Sequence, residues 1–170
     1  MKIRTLQVDD VERLLAFELA NRAWFEQHVE ARSPAFYSRA GVGAHIADYL
    51  DSHNAGAMHP CVLTSDDGAV IVGRANLRHI DRAAGTGEVG YRIAHSEARK
   101  GLGSLALEHL VELARAQYGL RVLSAWISPR NLGSRRILEK YGFTRDALAA
   151  PHVVQVNGEE HASHLYQCHL

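Results

Sequence analysis

The strongest structural signal in this chain is EVGYRIAHSEARKGLGSLALEHLVEL, residues 88–113. Its first part, Glu88–Ala94, has the composition of a strand, and its last part carries apolar residues at helical spacing. The turn between them, residues 99–104, reads RKGLGS and opens the helix. Such a turn leaves backbone N–H groups without partners at the positive end of the helix dipole. With the cations of Arg99 and Lys100 beside them, these groups predict a site for a phosphorylated ligand.

The rest of the chain predicts strands and helices in mixed order around this unit. A short strand at Lys2–Leu6 precedes a first helix, which Asp9-Asp10 would cap and which we expect to reach about His28. The turn dipeptides Asp67-Gly68 and Asn157-Gly158 predict two hairpins. The other predicted elements are helices at 44–53, 103–118 and 134–141 and strands at 60–64, 69–77, 120–127, 152–156 and 161–167. We therefore expect an α+β fold in which an antiparallel meander leads into a strand–helix–strand crossover.

The composition is that of an ordinary globular protein. The 170 residues are 46% hydrophobic and 22% charged, and 19 basic residues balance 19 acidic ones. This length fits one domain over 1–170, and zero net charge gives no electrostatic support for nucleic-acid binding. No segment approaches the roughly 20 apolar residues of a membrane span, and the two cysteines are too few for a disulfide scaffold. We expect a soluble, cytoplasmic protein without a signal peptide and without a nucleic-acid or membrane partner.

A second motif, NLGSRRILEKYGF, occupies residues 131–143. The Glu-Val-Gly-Tyr strand, the Arg-Lys-Gly-Leu-Gly-Ser turn and this Asn-x-x-Ser…Gly-Phe element, in that order, resemble the GNAT superfamily of acetyl-CoA-dependent N-acetyltransferases. Within it they resemble the RimJ/RimL-like branch, which acetylates the N-termini of ribosomal proteins. The resemblance is strongest over 88–143 and weak over the first 60 residues. It implies a twisted, mostly antiparallel mixed sheet of six to seven strands, flanked by about four helices and splayed between the fourth and fifth strands.

The resemblance also implies acetyl-CoA as cosubstrate, with no metal, and assigns binding residues. The strand edge at Tyr91, Arg92 and Ile93 would pair with the pantetheine arm, and Asn131 would bond its amides. Arg136 would reach a phosphate or remain a solvated helix charge. The CoA pyrophosphate would lie on the backbone amides of the turn, namely those of Arg99, Lys100, Gly101, Leu102, Gly103 and Ser104.

Two catalytic residues follow from the resemblance. Ser134 would be the acid toward the departing thiolate, because many GNAT enzymes place a tyrosine seven residues after the asparagine and this chain has Leu138 there. A second role for Ser134, compatible with the first, is the N-cap of its helix. The family's carboxylate positions near the last hairpin are not acidic here, and Ala162 stands where an Asp is expected. Glu88 is therefore the candidate base, acting through water, with a structural role as its alternative and His152 as a poorer candidate. A backbone N–H near Ile93 or Ala94 would hold the oxyanion.

The resemblance implies a primary amine as acceptor, and we expect a protein N-terminal α-amine. At pH 7 an α-amine with a pKa of about 8 loses its proton at a cost of roughly 1.4 kcal/mol, whereas lysine at about 10.4 needs about 4.6 kcal/mol. A site without an obvious close base therefore suits an α-amine. A small amine, such as a polyamine or an antibiotic, is the alternative acceptor, and it would require an acidic cleft. The acidic residues Glu18, Glu26 and Glu30 could supply that cleft, opposed by Arg22 and Arg32.

Two further possibilities concern the protein as a whole. A non-catalytic acyl-CoA-binding sensor would account for the missing carboxylates near the last hairpin. The final hairpin could pair across a dimer, so both a monomer and a homodimer fit the sequence. Two tempting motifs are set aside. Gly85-x-Gly87-x-x-Gly90 precedes a strand instead of following one, and His161 and His164, three apart in a strand, face opposite sides and cannot chelate a metal together.

Overall fold

The computed structural model describes all residues, 1–170. Eight strands form a mixed sheet, and five α-helices cover it. In chain order the elements are β1 (Lys2–Thr5), α1 (Val11–Ala20), α2 (Arg22–Phe25), α3 (Arg39–Asn54), β2 (His59–Thr64), β3 (Ile71–Asp81), β4 (Thr86–Ile93), α4 (Leu102–Ala116), β5 (Val122–Ile127), α5 (Leu132–Lys140), β6 (Thr144–Arg145), β7 (His152–Val156) and β8 (Glu159–His169). The strand order is β1-β2-β3-β4-β5-β8-β6, and β7 pairs with β8. None of the helices combines the length and the apolar character needed to cross a bilayer.

The sheet opens between β4 and β5, its only parallel pair. Pairing covers Thr86–Val122, Gly87–Leu123 and Glu88–Ser124 and then stops. Beyond that point β4 remains bonded to β3, and β5 remains bonded to β8. The predicted splay between the fourth and fifth strands is confirmed, and it leaves two unpaired strand edges facing each other.

Helices cover both faces of the sheet, each with its own hydrophobic core. On one face α4 buries Ala106, Leu107, Leu110 and Ala114 completely. On the other face α1 and α3 bury an apolar set that packs against β2 and β3, namely Leu14, Phe17, Val42 and Ile46 with Val62 and Ile71. Since burial of apolar surface is the main driving force of folding, these two layers fix the sheet and leave the opening between β4 and β5 uncovered.

The predicted first helix is broken, and Asn21 is the reason. Helix α1 ends at Ala20, and only the single turn of α2 follows. The Asn21 side chain donates to the Phe17 carbonyl at 2.8 Å and accepts from the His95 N–H at 2.9 Å. An asparagine that bonds the backbone in this way competes with the helix. The break ties the end of α1 to the segment after β4 and directs the chain from Trp24 onward across the opening.

Contrary to the prediction, the Asp10 side chain forms no capping hydrogen bond to the first helix. Its buried carboxylate accepts two hydrogen bonds of 2.7 Å from Arg4, and Arg13 lies 2.8 Å away. Burial opposes ionisation of Asp10, but the hydrogen bonds from Arg4 and from the Gln7 N–H outweigh it and hold the pKa of the carboxyl below its usual value. The residue anchors the chain before α1 to β1.

Helix α3 begins at Arg39, five residues before the predicted start. Ser38 caps it by accepting from the Gly41 N–H at 3.0 Å. Gly41 is required there, because a Cβ at this position would lie 2.2 Å from the Ala35 carbonyl oxygen. The two glycines of this first turn hide its helical pattern in the sequence.

Candidate active site

The opening between β4 and β5 connects two cavities. The turn cavity, about 490 Å³, lies beside residues 99–104 and the start of α5. The arginine cavity, about 340 Å³, lies on the other side of the opening, between β3, β4, β5 and the last hairpin. Six residues line both cavities: His28, Val29, Tyr91, Arg92, Asn131 and Ser134. A ligand that enters one cavity can therefore react with a ligand in the other at this junction.

The turn has the geometry of an anion site. The amides of five predicted residues donate to no acceptor in the protein: Arg99, Gly101, Leu102, Gly103 and Ser104. Lys100 differs from the prediction, since its N–H bonds the Glu97 carbonyl at 3.4 Å and its ammonium pairs with the Glu97 carboxylate. Arg99 and Gly101 have φ values of +63° and +85°. Left-handed residues of this kind make successive N–H groups converge, which forms a concave site for phosphate oxygens.

Backbone pairing in β4 decides which of its groups face the opening. The Ala94 N–H bonds the Val72 carbonyl at 2.9 Å, so Ala94 is not free to bind an oxyanion as predicted. Because hydrogen-bonded pairs alternate along an antiparallel ladder, Arg92 also bonds β3, whereas Tyr91 and Ile93 direct their N–H and C=O groups toward the opening. The main-chain role predicted for Arg92 is therefore not available, and its side chain lines the cavities instead. Tyr91 and Ile93 keep their predicted exposure to an added strand.

Asn131, and not Ser134, caps α5. The Asn131 Oδ1 accepts from the Ser134 N–H at 3.1 Å. The Ser134 side chain is not used by the cap, and Ser134 lines both cavities beside Tyr91. The neighbouring Tyr91 hydroxyl is buried without a partner, and burial raises the pKa of Tyr91, against a smaller opposing effect of Ser134. Two residues with hydroxyl groups, Tyr91 and Ser134, thus stand side by side at the junction.

Four predicted residues line neither cavity: Glu88, Lys100, Ser104 and Arg136. The Glu88 carboxylate is held by the Arg78 guanidinium at 2.5 Å and lines neither cavity. Arg78 does line the arginine cavity, so Glu88 is separated from that space by one ion pair. Arg136 is exposed on α5 and also lines neither cavity.

The arginine cavity is strongly cationic. Four guanidinium groups line it, from Arg32, Arg74, Arg78 and Arg92, against one carboxylate, from the exposed residue Glu30. Beneath its floor the buried Glu18 pairs with Arg74, and the second oxygen of Glu18 lies 3.8 Å from Arg92. The acidic cleft considered from the sequence does not form.

His45 belongs to the same buried network. Arg74 donates to the His45 Nε2 at 2.6 Å. Since a guanidinium can only donate, this nitrogen accepts and the imidazole is neutral. Burial, followed by the charges of Arg74 and Arg32, lowers the pKa of His45 to about 3.

His28 is a site residue that sequence reasoning missed. It lies in an irregular segment after α2 and lines both cavities. Its ring meets Trp24 edge-on at 5.5 Å, and its Nδ1 is buried without a partner. Burial lowers the pKa of His28, so the imidazole is neutral at physiological pH. No sequence motif marks this position, because the break at Asn21 places it.

The last hairpin closes the far side of the arginine cavity. His152, Val154 and Ser163 line it, and His152 packs edge-on against Trp126 at 5.6 Å. No group of three or more His, Cys, Asp or Glu side chains is arranged to hold a metal ion. The side chains that line the two cavities offer hydroxyl, imidazole and guanidinium groups.

Known proteins share this architecture over nearly the whole chain. Ribosomal-protein-S5-alanine acetyltransferase from Vibrio fischeri superposes with a TM-score of 0.91 at 21% identity, covering 98% of this chain and 91% of the other. A RimL ribosomal L7/L12 α-N-protein acetyltransferase in complex with coenzyme A gives 0.88 at 18% identity, covering 99% and 93%. Spermidine N-acetyltransferase from Vibrio cholerae gives 0.77 at 15% identity, covering 99% and 95%. At these identities the likeness shows the fold alone.

Sequence comparison shows the family. A curated relative, "Probable N-acetyltransferase YjcK" of Bacillus subtilis (strain 168), is 32% identical over 163 residues, which cover 94% of this chain and 89% of the relative. The family model described as "Acetyltransferase (GNAT) domain" matches residues 1–144. With the splayed sheet and the glycine turn in place, this chain belongs to the GNAT family of N-acetyltransferases.

Proposed function

We propose that this enzyme transfers the acetyl group of acetyl-CoA to the α-amine of a protein N-terminus, by direct attack while both substrates are bound. GNAT acetyltransferases use acetyl-CoA, and a relative of the same fold holds coenzyme A. The observation that carries the proposal is the junction of the two cavities at the opening of the sheet, where Ser134 faces both. An acetyl group delivered from the turn cavity meets an amine delivered from the arginine cavity at that point.

The residues of the turn cavity would bind CoA. The free amides of residues 99–104 take the pyrophosphate, and Tyr91 and Ile93 offer main-chain groups to the pantetheine arm. Asn131 uses its Oδ1 for the helix cap, which leaves its amide N–H₂ to donate to a pantetheine carbonyl. The exposed Arg136 remains a candidate partner for a phosphate at the mouth of the cavity.

Ser134 would donate a proton to the thiolate as it leaves, because its hydroxyl stands at the junction and is not used by the helix cap. The Ile93 N–H, directed into the opening, would stabilise the oxyanion that forms on the acetyl carbonyl. Two atoms gain negative charge during the reaction, the thioester sulfur and the carbonyl oxygen. Ser134 would act on the sulfur, and the Ile93 N–H would act on the oxygen.

The amine proton has two candidate acceptors. His28 lines both cavities as a neutral imidazole and stands first on geometry. Glu88 would act through water past its ion pair with Arg78. Neither is a carboxylate free at the junction, which favours an acceptor that loses its proton readily. An α-amine meets that condition about 3 kcal/mol more easily than a lysine at pH 7.

Charge opposes the polyamine alternative. A polycation entering the arginine cavity would meet four guanidinium groups and one exposed carboxylate. Repulsion of like charges in a partly desolvated space disfavours such binding. Membership of an N-acetyltransferase family likewise favours the enzyme over a non-catalytic acyl-CoA sensor.

The test is a thiol-release assay with acetyl-CoA and three acceptor panels: N-terminal peptides, polyamines and aminoglycosides. We expect turnover with free N-terminal peptides, loss of turnover when their N-terminus is blocked, and none with spermidine. Preferred turnover of spermidine would overturn the proposal. Binding of acetyl-CoA without turnover of any acceptor would overturn it too, in favour of the sensor.

A further inference from the structure

We propose that the arginine cavity binds a carboxylate of the acceptor, so that the enzyme selects N-termini with an acidic residue at the first or second position. This inference rests on the proposed function, because it specifies the amine that the same site accepts. The shared chemistry is a carboxylate a few bonds from the reacting amine. A peptide side chain supplies it in the form we propose, and the α-carboxylate of a free amino acid is the other source.

Two of the four guanidinium groups in the cavity form no close ion pair. Arg78 is matched by Glu88, and Arg74 is matched by Glu18. Arg92 has only the longer contact of 3.8 Å to the second oxygen of Glu18, which accepts no hydrogen bond. Arg32 forms no ion pair. Two guanidinium groups, those of Arg32 and Arg92, therefore face a space whose one lining carboxylate, that of the exposed Glu30, forms no ion pair with them.

Arg32 offers the clearest donor for an anion. Its Nε is buried and has no hydrogen-bond partner. Its guanidinium carbon lies over the Phe36 ring, 4.1 Å from the centroid, and contact with a ring face leaves the N–H groups of the fork able to donate. A buried donor without an acceptor is unfavourable, and a ligand oxygen would satisfy it.

Repulsion within the cluster points the same way. Burial and the neighbouring Arg74 lower the pKa of Arg32. Burial lowers the pKa of Arg92 to about 10. The attraction of Glu18 opposes this decrease, and the charges of Arg32 and Arg74 add to it. Both groups remain cationic at neutral pH, in an arrangement that a bound anion would stabilise. A planar carboxylate matches the guanidinium fork and accepts two parallel hydrogen bonds.

The anion is that of the acceptor and not a CoA phosphate. Arg32 and Arg74 line the arginine cavity and not the turn cavity. Four turn residues with free amides, Arg99, Gly101, Leu102 and Gly103, line the turn cavity, on the other side of the opening. An acceptor that places its amine at Ser134 would extend the rest of its first residues toward Arg92 and Arg32.

The test compares matched peptides that differ by one charge, such as Ser-Asp against Ser-Asn and Asp-Ala against Asn-Ala, each within the same longer sequence. We expect kcat/KM to be about ten- to a hundredfold higher for the acidic member, the range that a hydrogen bond between charged groups supplies. Free serine and aspartate form a separate arm. Acetylation of these amino acids above that of the peptides would identify the α-carboxylate as the source and overturn the peptide preference.

Arg32→Gln is the decisive variant, because it removes a cation without leaving an acidic partner unpaired. We expect the ratio between the acidic and the amide peptide to fall toward one, while calorimetric affinity for acetyl-CoA shows that the fold is kept. Arg32→Glu should favour a Ser-Lys peptide over Ser-Asp. The control is Arg39→Gln at the start of α3, where an exposed arginine pairs with the exposed Glu12; it should keep the wild-type ratio.

The two proposals fail differently. Equal rates for acidic and amide peptides in the wild type, or an unchanged ratio in Arg32→Gln, would overturn the carboxylate site while leaving N-terminal acetylation intact. The absence of turnover with every peptide would overturn the proposed function itself.

Discussion

Ser134 shows how one residue's role depends on its neighbour. The sequence allowed it to be both the helix cap and the catalytic acid, but Asn131 accepts the capping hydrogen bond. The cap therefore does not use the hydroxyl, which leaves it for the proposed role toward the departing thiolate. We expect Ser134→Ala to lower kcat by about 10²- to 10⁴-fold, the usual contribution of a positioned acid, while the Kd for acetyl-CoA changes little. Stopped-flow or steady-state kinetics with calorimetric titration would check it. A large loss of acetyl-CoA affinity would instead assign Ser134 to binding.

The two candidates for the general base, His28 and Glu88, predict different dependences of the rate on pH. Burial holds the pKa of His28 below 6.5, so His28 is neutral and able to accept a proton at neutral pH, and it becomes protonated only as the pH falls below that value. We expect the acid limb of the kcat/KM profile to lie below pH 6.5 and to disappear in His28→Gln. Glu88→Gln should keep that limb. The opposite pattern, a normal profile in His28→Gln and an altered one in Glu88→Gln, would assign the base to Glu88.

At the scale of elements, the turn before α4 depends on a glycine in the left-handed region where CoA would bind. A Cβ at Gly101 would have no atom within 4 Å, so a substitution there causes no steric clash. Its cost comes only from the left-handed backbone, with φ = +85°. Gly56, just past the end of α3, is a matched control, with φ = +74° and equally open space. We expect Gly101→Ala and Gly56→Ala to lose similar stability, about 1–2 kcal/mol, because both force a left-handed alanine. Only Gly101→Ala should weaken acetyl-CoA binding, as measured by titration. Equal affinities in the two variants would exclude the turn as the phosphate site.

The elements predicted best are those whose bounds are defined by residues close to them in the sequence. The start of α4 was predicted within one residue and its end within two, because an amphipathic stripe and a glycine define them locally. Helix α1 was extended past Asn21 because the tie from Asn21 to His95 joins segments 74 residues apart. The start of α3 was missed because glycines occupy its first turn. The tie from Asn21 to His95 is a tertiary contact, and no local pattern encodes it.

At the scale of the whole molecule, the two cavities follow from the opening of the sheet between two cores. The turn cavity was predictable, since its residues lie mostly within two contiguous motifs. The arginine cavity was not. Its guanidinium groups come from the segment after α2, from β3 and from β4, and the sequence offers acidic residues in the same region that pair with Arg22 and Arg74. Only the fold shows which charges remain unpaired.

The same cationic network makes the stability of the molecule depend on pH through His45. In the unfolded chain a histidine titrates near 6.5, whereas in the fold the pKa of His45 is about 3. Between these values the unfolded chain binds the proton and the fold does not, so stability falls as the pH drops below 6.5 and this loss ends near pH 3. At pH 5 the contribution of His45 is at most about 2 kcal/mol. Thermal or urea unfolding between pH 7.5 and 4.5 measures it.

His45→Gln separates this effect from the titration of other groups. The glutamine oxygen can accept the hydrogen bond from Arg74 but cannot be protonated, so the variant should lose stability less steeply than the wild type between pH 6.5 and 5. His169→Gln, at an exposed position near the end of β8, is the control and should follow the wild-type curve. If the His45→Gln curve parallels the wild type instead, Arg74 does not depend on a neutral His45. The cation network beneath the arginine cavity would then have to be held by Glu18 alone.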